Sequence, residues 1–419
     1  MGAAIGRFGY NLRMRQHAPT RLAFGTALFV AQHAGAQIPP LPEGNTGIAS
    51  HYPGDLGIGS DGAVIFFDDF EGYTDPSGLP ANWTAGVYWY VTLTTEPANV
   101  YAGRQALELK IPQQTAEVGS GVNRKVSPEL DLLFLRWYAK IETNFDKIGS
   151  SHNGGGISSH YEDANGNATP GVPADGTNKY LITYECWRGD AATASPGQLN
   201  IYIYWPLQRS QWGDHIFPDG TIMPNTSQLG DFGPDFVARP MVIPDLGRWY
   251  AYEVMLQANT PGSSDGRVAM WLDGALIGDF PNMRLRDVPE LTIDRFGISF
   301  HSNPGPDVTS RKWVDNVVAA TSYIGPMLAS PGGADSGSPP PPDGGPASNA
   351  DPTPPQSADG SATPGSDAAG GPNLDAGALV SNGCACSTSM GKGYDAVALA
   401  VLFALLAFGN RRRRLSESK

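Results

Sequence analysis

Asn200, Tyr202 and Tyr204 alternate along LNIYIYW, with Ile201, Ile203 and Trp205 between and after them. A period of two puts the polar groups on one face of a strand and the apolar ones on the other. Two phenols on one face supply hydroxyls for proton transfer or rings for stacking, and serve equally as ordinary sheet-surface residues. His152 sits in the glycine-rich SSHNGGG. Glycine lets backbone approach a ligand closely and imidazole changes charge near neutral pH, so this histidine has the chemistry of a general base. His215, in WGDHIFPDG, has the same claim. For both, a solvated loop histidine is the plainer alternative. Arg136, Tyr138 and Lys140 share one face of LLFLRWYAKIE, a stripe that suits a bound carboxylate or simply solvent. Gln257 and Asn259 fall on the strand face of Glu253 and Met255, where their amides could reach a ligand. Asp68, Asp69, Glu71 and Asp315 lie on the first and last predicted strands. Carboxylates at such a seam, Asp69 and Asp315 above all, suit a structural Ca²⁺ held with backbone carbonyls, although strand-end acids need no metal.

Other chemistries leave no mark. No zinc-like His/Cys spacing, phosphate loop, nucleotide fingerprint or G-x-S-x-G elbow is present. The E-x-D-x-x-E run expected of many sandwich glycoside hydrolases is also missing, which sets aside a paired-carboxylate hydrolysis. A net charge of −13 makes nucleic acid a poor partner.

The elements that must position these residues are strands. Gly247 to Phe280 reads as two long strands and a short third, joined by the turn cluster TPGSSDG and by the two-residue hairpin signal Asp273-Gly274. Such a hairpin is marginal alone and needs a second sheet over one face. Further strand patterns run over 63–70, 82–91, 105–111, 132–142, 180–187, 199–205, 294–299 and 312–320. In 132–142, Leu135, Trp137, Ala139 and Ile141 should face the core. No long amphipathic helix pattern interrupts them. Residues 145–178 and 206–240 read as long polar insertions. With 52 Gly, 36 Pro and 16% charged residues, the pattern predicts an all-β fold, a two-sheet antiparallel jelly-roll sandwich over 61–325, with 37–60 as an irregular lead-in.

The flanks differ in kind. Residues 1–36 read as a secretory signal: arginines first, a short apolar run from Leu22 to Ala31, and Ala34-Gly35-Ala36 as a cleavage site. Residues 326–380 are dominated by Pro, Gly, Ser, Ala and Asp and read as a disordered linker. Within 381–419, Ala396 to Phe408 is an apolar helix candidate, followed by Arg411 to Arg414, which favour a cytoplasmic C-terminus. Of three cysteines, Cys186 reads as a buried small hydrophobe, and Cys384 and Cys386 form a C-x-C.

Two family resemblances follow from these residues. GRWYAYEVMLQANTPGSSDGRVAMWLDGALIGDFPNMRLRDV, with the later KWVDNVVAA and the earlier LRWYAKIETNFD, resembles the polysaccharide lyases of the concanavalin A-like jelly-roll group, the alginate and glucuronan lyase-like families. The resemblance covers about half of the core domain. It implies a sheet that holds a linear acidic glycan and cleaves it by β-elimination. A donor must neutralise the uronate carboxylate, a base must take the C5 proton, and an acid must protonate the leaving oxygen. On that reading Tyr204, Tyr202 and His152 are the catalytic candidates, and Arg136, Tyr138, Lys140, Asn200, Gln257 and Asn259 the substrate-binding ones. The W-x-D-G strand end also occurs in lectin-like and laminin-G-like modules, so a non-catalytic carbohydrate-binding module or an adhesin is the alternative. Cys384-Ala385-Cys386, the apolar run and the arginine block together resemble the C-terminal sorting tag of myxobacterial surface proteins (MYXO-CTERM type). That implies export, a membrane helix, envelope sorting machinery as a partner, and extracellular polysaccharide within reach. A plain single-pass anchor is the alternative.

Overall fold

The computed structural model describes residues 39–84, 89–162, 168–223 and 228–329. By its contacts the chain divides into residues 1–39, of which only Pro39 is described, and a unit beginning at Pro40. The predicted signal, nearly all of the linker and the C-terminal apolar run lie outside the described residues. Among the described residues no helix is long and apolar enough to cross a membrane.

The strands, in chain order, are β1 (Val64–Asp68), β2 (Val91–Thr94), β3 (Ala106–Ile111), β4 (Val118–Leu130), β5 (Leu132–Ile141), β6 (Ser151–His152), β7 (Gly155–Ser159), β8 (Tyr180–Trp187) and β9 (Gln198–Tyr204). They continue as β10 (Asp214–Ile216), β11 (Thr221–Met223), β12 (Gln228–Leu229), β13 (Tyr250–Gln257), β14 (Gly266–Leu272), β15 (Ala275–Met283), β16 (Ile293–Ser302) and β17 (Ser310–Ala320). Among the described residues they form two sheets. One has eight strands in the order β15-β14-β13-β5-β17-β3-β2, with β1 added on β17. The other has nine, β12-β11-β10-β9-β8-β7-β16-β4, with β6 added on β16. Their pairing is antiparallel, as in the neighbours β13·β5, β17·β5, β16·β4 and β8·β9. This is the all-β jelly-roll sandwich that the strand pattern predicts. The first and last predicted strands do pair, with Asp68 opposite Val317. At the Asp273-Gly274 hairpin both residues have positive φ, 49° and 81°, as a type I′ turn requires.

Alternation sets the core. In β5, Leu133, Leu135, Trp137, Ala139 and Ile141 point inward. They meet Tyr180, Ile182, Tyr184 and Cys186 of β8 and Leu199, Ile201 and Ile203 of β9 from the opposite sheet. Trp137 stacks on Tyr252 at 5.5 Å and meets Tyr184 edge-on at 5.9 Å, so the sheets interlock through aromatic rings. Burying a side chain of this size contributes about 2–3 kcal/mol.

The outer face of the eight-stranded sheet is covered. The lead-in forms three short 3-10 turns over Ile48–His51, Pro53–Asp55 and Ile58–Ser60, and packs Ile48, Ala49 and Ile58 against Phe134, Met255, Trp271, Tyr323 and Ile324. Asp55 is buried there against Arg136. Of the predicted strand over 82–91, residues 85–88 lie outside the described residues, and among the rest only Val91, where β2 begins, is in a strand. Conversely, β6, β7, β10, β11 and β12 lie inside the two segments predicted as polar insertions.

Candidate functional site

The polar half of each alternation on the nine-stranded sheet makes one surface. On β9 the outward residues are Asn200, Tyr202 and Tyr204; on β8 they include Thr183 and Glu185, with Glu185 opposite Asn200. On β16 His301 lies opposite His152 of β6, and on β10 His215 lies opposite Tyr202. Rings therefore gather around Tyr202. His152 is 4.7 Å from it and His215 5.0 Å, centroid to centroid, while His152 stacks with His301 at 5.4 Å.

The loop that carries His152 is fixed by its neighbours. The Asn153 amide pairs with the backbone of Cys186, donating to its carbonyl at 3.0 Å and accepting from its N–H at 2.9 Å. A Cβ on Gly154 would fall 1.7 Å from the Tyr184 carbonyl oxygen, so only glycine fits. This side-chain substitute for strand pairing holds β6 beside β8.

Each histidine has a defined partner. His152 Nδ1 lies 3.1 and 3.2 Å from the two carboxylate oxygens of Glu185, whose side chain is fully buried, while the imidazole is 31% exposed. Burial alone would lower the pKa of His152, but the Glu185 carboxylate more than offsets it and raises the pKa above the ordinary histidine value. Nδ1–H donates to the carboxylate and leaves Nε2 as the free basic atom. His215 Nδ1 lies 2.9 Å from Asn200 Oδ1, and Asn200 Nδ2 donates to the carbonyls of Glu185 (3.1 Å) and Gln198 (3.2 Å). Burial, with His152 nearby, pushes His215 down to about 3, so it stays neutral. His301 Nε2 is 2.8 Å from Glu117 Oε1.

The tyrosines differ. Tyr202 is 7% exposed and accepts a hydrogen bond from the Gly213 N–H at 3.0 Å. Burial, then Tyr204, holds its phenol well above the usual tyrosine range, so it keeps its proton. Tyr204 is 1% exposed, covered by Tyr161, Leu181 and Ala174, and its hydroxyl accepts from the Gly171 N–H at 3.1 Å. Lys179 lies over the Tyr161 and Tyr204 rings at 4.6 and 4.7 Å. Burial brings its pKa to about 8. Tyr204 is thus on the expected face, covered by the chain's own loop and edge-on to the Tyr202 ring at 5.7 Å.

Of the sequence candidates, His152, Tyr202, Tyr204 and Asn200 come together. Asn200 is fully buried and its amide is engaged, so it orients His215 rather than a ligand. Arg136, Tyr138 and Lys140 lie on the other sheet, facing away from this surface. Arg136 is fully buried, paired with Asp55, and donates to the carbonyls of Gly325 (3.3 Å) and Asn316 (3.2 Å). Tyr138 stacks on Tyr101 at 3.8 Å and accepts from the Met327 N–H. Lys140 sits between the Trp249 and Trp313 rings and donates to the Ala98 carbonyl. The stripe pins covering segments to the sheet. Gln257 is exposed on the eight-stranded sheet, and buried Asn259 ties Thr260, Ser263 and Arg286 into one loop. Asp315 is buried and accepts from the N–H groups of Tyr101, Ala102 and Asn316; Asp69 accepts from Glu71 N. Both acids thus serve backbone, and among the described residues no three His, Cys, Asp or Glu side chains form a metal-holding group.

Sequence reasoning missed Glu185 and His301. The alternation of YLITYECW held a signal for Glu185, since it puts the acid on the face opposite Tyr184 and Cys186.

No family model matches the chain, and no curated protein matches it. Among solved structures, an alginate lyase, Aly36B, in complex with alginate tetrasaccharide is 16% identical with a TM-score of 0.44, covering 63% of this chain and 98% of that one. An endo-β-1,4-glucuronan lyase from the fungus Trichoderma reesei is 15% identical (TM-score 0.39; 62% and 96% covered). The alginate lyase vAL-1 from Chlorella virus is 14% identical (TM-score 0.42; 62% and 100% covered). At such identities and scores the likeness assigns no chemistry to this chain.

Proposed function

We propose that this chain is an exported, envelope-anchored polysaccharide lyase that cleaves an acidic extracellular polysaccharide by β-elimination on the outer face of the nine-stranded sheet. The observation that carries the reading is the Glu185–His152–Tyr202 arrangement: a carboxylate-oriented imidazole with a free Nε2, next to a phenol that keeps its proton. His152 Nε2 takes the C5 proton of a uronate. The C5–H electron pair forms the C4=C5 double bond, the C4–O bond breaks, and the Tyr202 hydroxyl gives its proton to the departing oxygen. Solvent exchange then returns the proton from His152 to Tyr202. His215 remains neutral and packs the other side of Tyr202. Export through residues 1–36 and tethering through 381–419 belong to the same proposal: a polymer outside the cell requires export, and the tail's resemblance to a sorting tag adds the tether.

The test is a panel of polyuronates incubated with the protein and followed by the ultraviolet band of the unsaturated product. One polymer should yield the band, and His152→Asn or Tyr202→Phe should abolish it. If no polymer yields it while one is retained on an affinity gel, the protein is a binding module. If none is retained either, it is an adhesin or other surface protein.

A further inference from the structure

Lys312 is the one lysine that β17 sends into the sandwich, fully buried and pointing from the eight-stranded sheet toward the other. Its ammonium donates to three carbonyls of the nine-stranded sheet: Asn153 (2.9 Å), Gly154 (3.2 Å) and Ser299 (2.5 Å). Asn153 and Gly154 form the turn that directly follows His152, and Ser299 lies two residues before His301. Lys312 also lines a small internal cavity together with Glu185, Asn153 and Cys186, amid the apolar walls of Trp137, Tyr184 and Tyr252. No carboxylate among the described residues makes an ion pair with it. A buried cation is costly, and one whose only neighbouring anion is the acid beneath a surface histidine is unusual in a core that is otherwise aromatic and aliphatic.

We propose that Lys312 is a positioning residue for the His152–Glu185 pair: it clamps the turn that carries His152 and places a positive charge beneath Glu185 that favours the carboxylate form. This rests on the lyase reading only for its effect on rate; the electrostatic coupling stands without it. Burial pushes Lys312 down to about 7, with the Glu185 charge pulling the other way, so its charge is present below neutral pH and is lost as pH rises through about 7. Burial raises Glu185, and His152 and Lys312 oppose that rise. The groups that face the pair are Lys312 and Cys186 from below, and Tyr202, His215, His301 and Glu117 from the sheet surface.

The sign follows. A positive charge disfavours protonation of both members of the pair, so removing it moves both of their titrations to higher pH. The variant is Lys312→Gln in the full chain, which keeps N–H donors for the carbonyls and removes the charge. With histidines isotopically labelled and His152 assigned through His152→Asn, NMR should show the His152 titration displaced upward by about one pH unit. The pH profile of elimination should shift the same way. Unmoved titration with a lowered rate would leave Lys312 a purely structural residue and overturn the proposal. If Lys312→Gln does not fold, coupling is read in reverse: by linkage, Glu185→Gln must lower the midpoint of the Lys312 Cε resonance by a comparable amount. A Lys312 midpoint that ignores Glu185 overturns it as well. Neither NMR measurement needs a polymer, so a failed lyase assay and a failed coupling are distinguishable.

Discussion

At the residue scale, the proposed elimination rests on the pair His152–Glu185. A histidine on a loop is ordinary; one whose Nδ1 is held by a fully buried carboxylate has a fixed ring, a fixed tautomer and a stronger base at Nε2. Because the folded-state pKa of His152 is raised, the base becomes available only as pH rises through a midpoint above the ordinary histidine value. Activity should therefore climb through and beyond neutrality, with no descending limb from Tyr202 below the ordinary tyrosine range, because that phenol is held above it. Glu185→Gln should reduce kcat/KM by about 10²–10⁴-fold and move the rising limb to lower pH. A pH–rate profile with an unmoved limb would remove Glu185 from the chemistry. The tyrosines were legible at this scale from a simple alternation. Their accessibility was not, because burial of Tyr204 depends on Gly171 and Ala174, which are distant in sequence and carry no pattern that announces a roof.

At the scale of elements, the outward faces of the two sheets have different work. The nine-stranded sheet leaves its histidines partly exposed, while the eight-stranded sheet is sealed by the lead-in and the chain exit through buried polar contacts. Arg136 and Asp55, both without exposure, anchor that seal. Asp55→Ala should cost about 3–5 kcal/mol in urea unfolding, because it strands a buried guanidinium. A loss below about 1 kcal/mol would mean the seal is weak. Glu253, which accepts from the N–H groups of Ile324 and Gly325, titrates at about 7 because of burial. A carboxyl whose folded pKa is raised stabilises below its unfolded value and loses that contribution as pH rises through the folded one. The stability of the native protein relative to Glu253→Gln should therefore fall between about pH 4.5 and 7, measured by thermal melts across that range. The stripe Arg136, Tyr138, Lys140 shows why alternation alone misplaces function. It gives the face of β5 correctly but says nothing of what covers that face, and Asp55 lies in a Pro/Gly-rich segment with no periodic signal. The strands β6 and β7 were illegible for another reason: SHNGGGISS has glycine where alternation needs side chains, and the pairing of β6 is completed by the Asn153 amide.

At the scale of the molecule, a sandwich with an aromatic core presents one polar, histidine-bearing face. The two-sheet architecture could be read from strand patterning and the Asp273-Gly274 turn. The convergence of β6, β8, β9, β10 and β16 on one surface depends on sheet order, which strand patterning does not contain. The central claim is that this face breaks a glycosidic C–O bond by elimination without water. The direct measurement is the mass of the products formed from a defined acidic oligosaccharide in heavy-oxygen water. The account predicts fragments whose masses sum to the parent, one carrying an unsaturated uronate and neither carrying solvent oxygen. Fragments that together exceed the parent by one labelled water would contradict it.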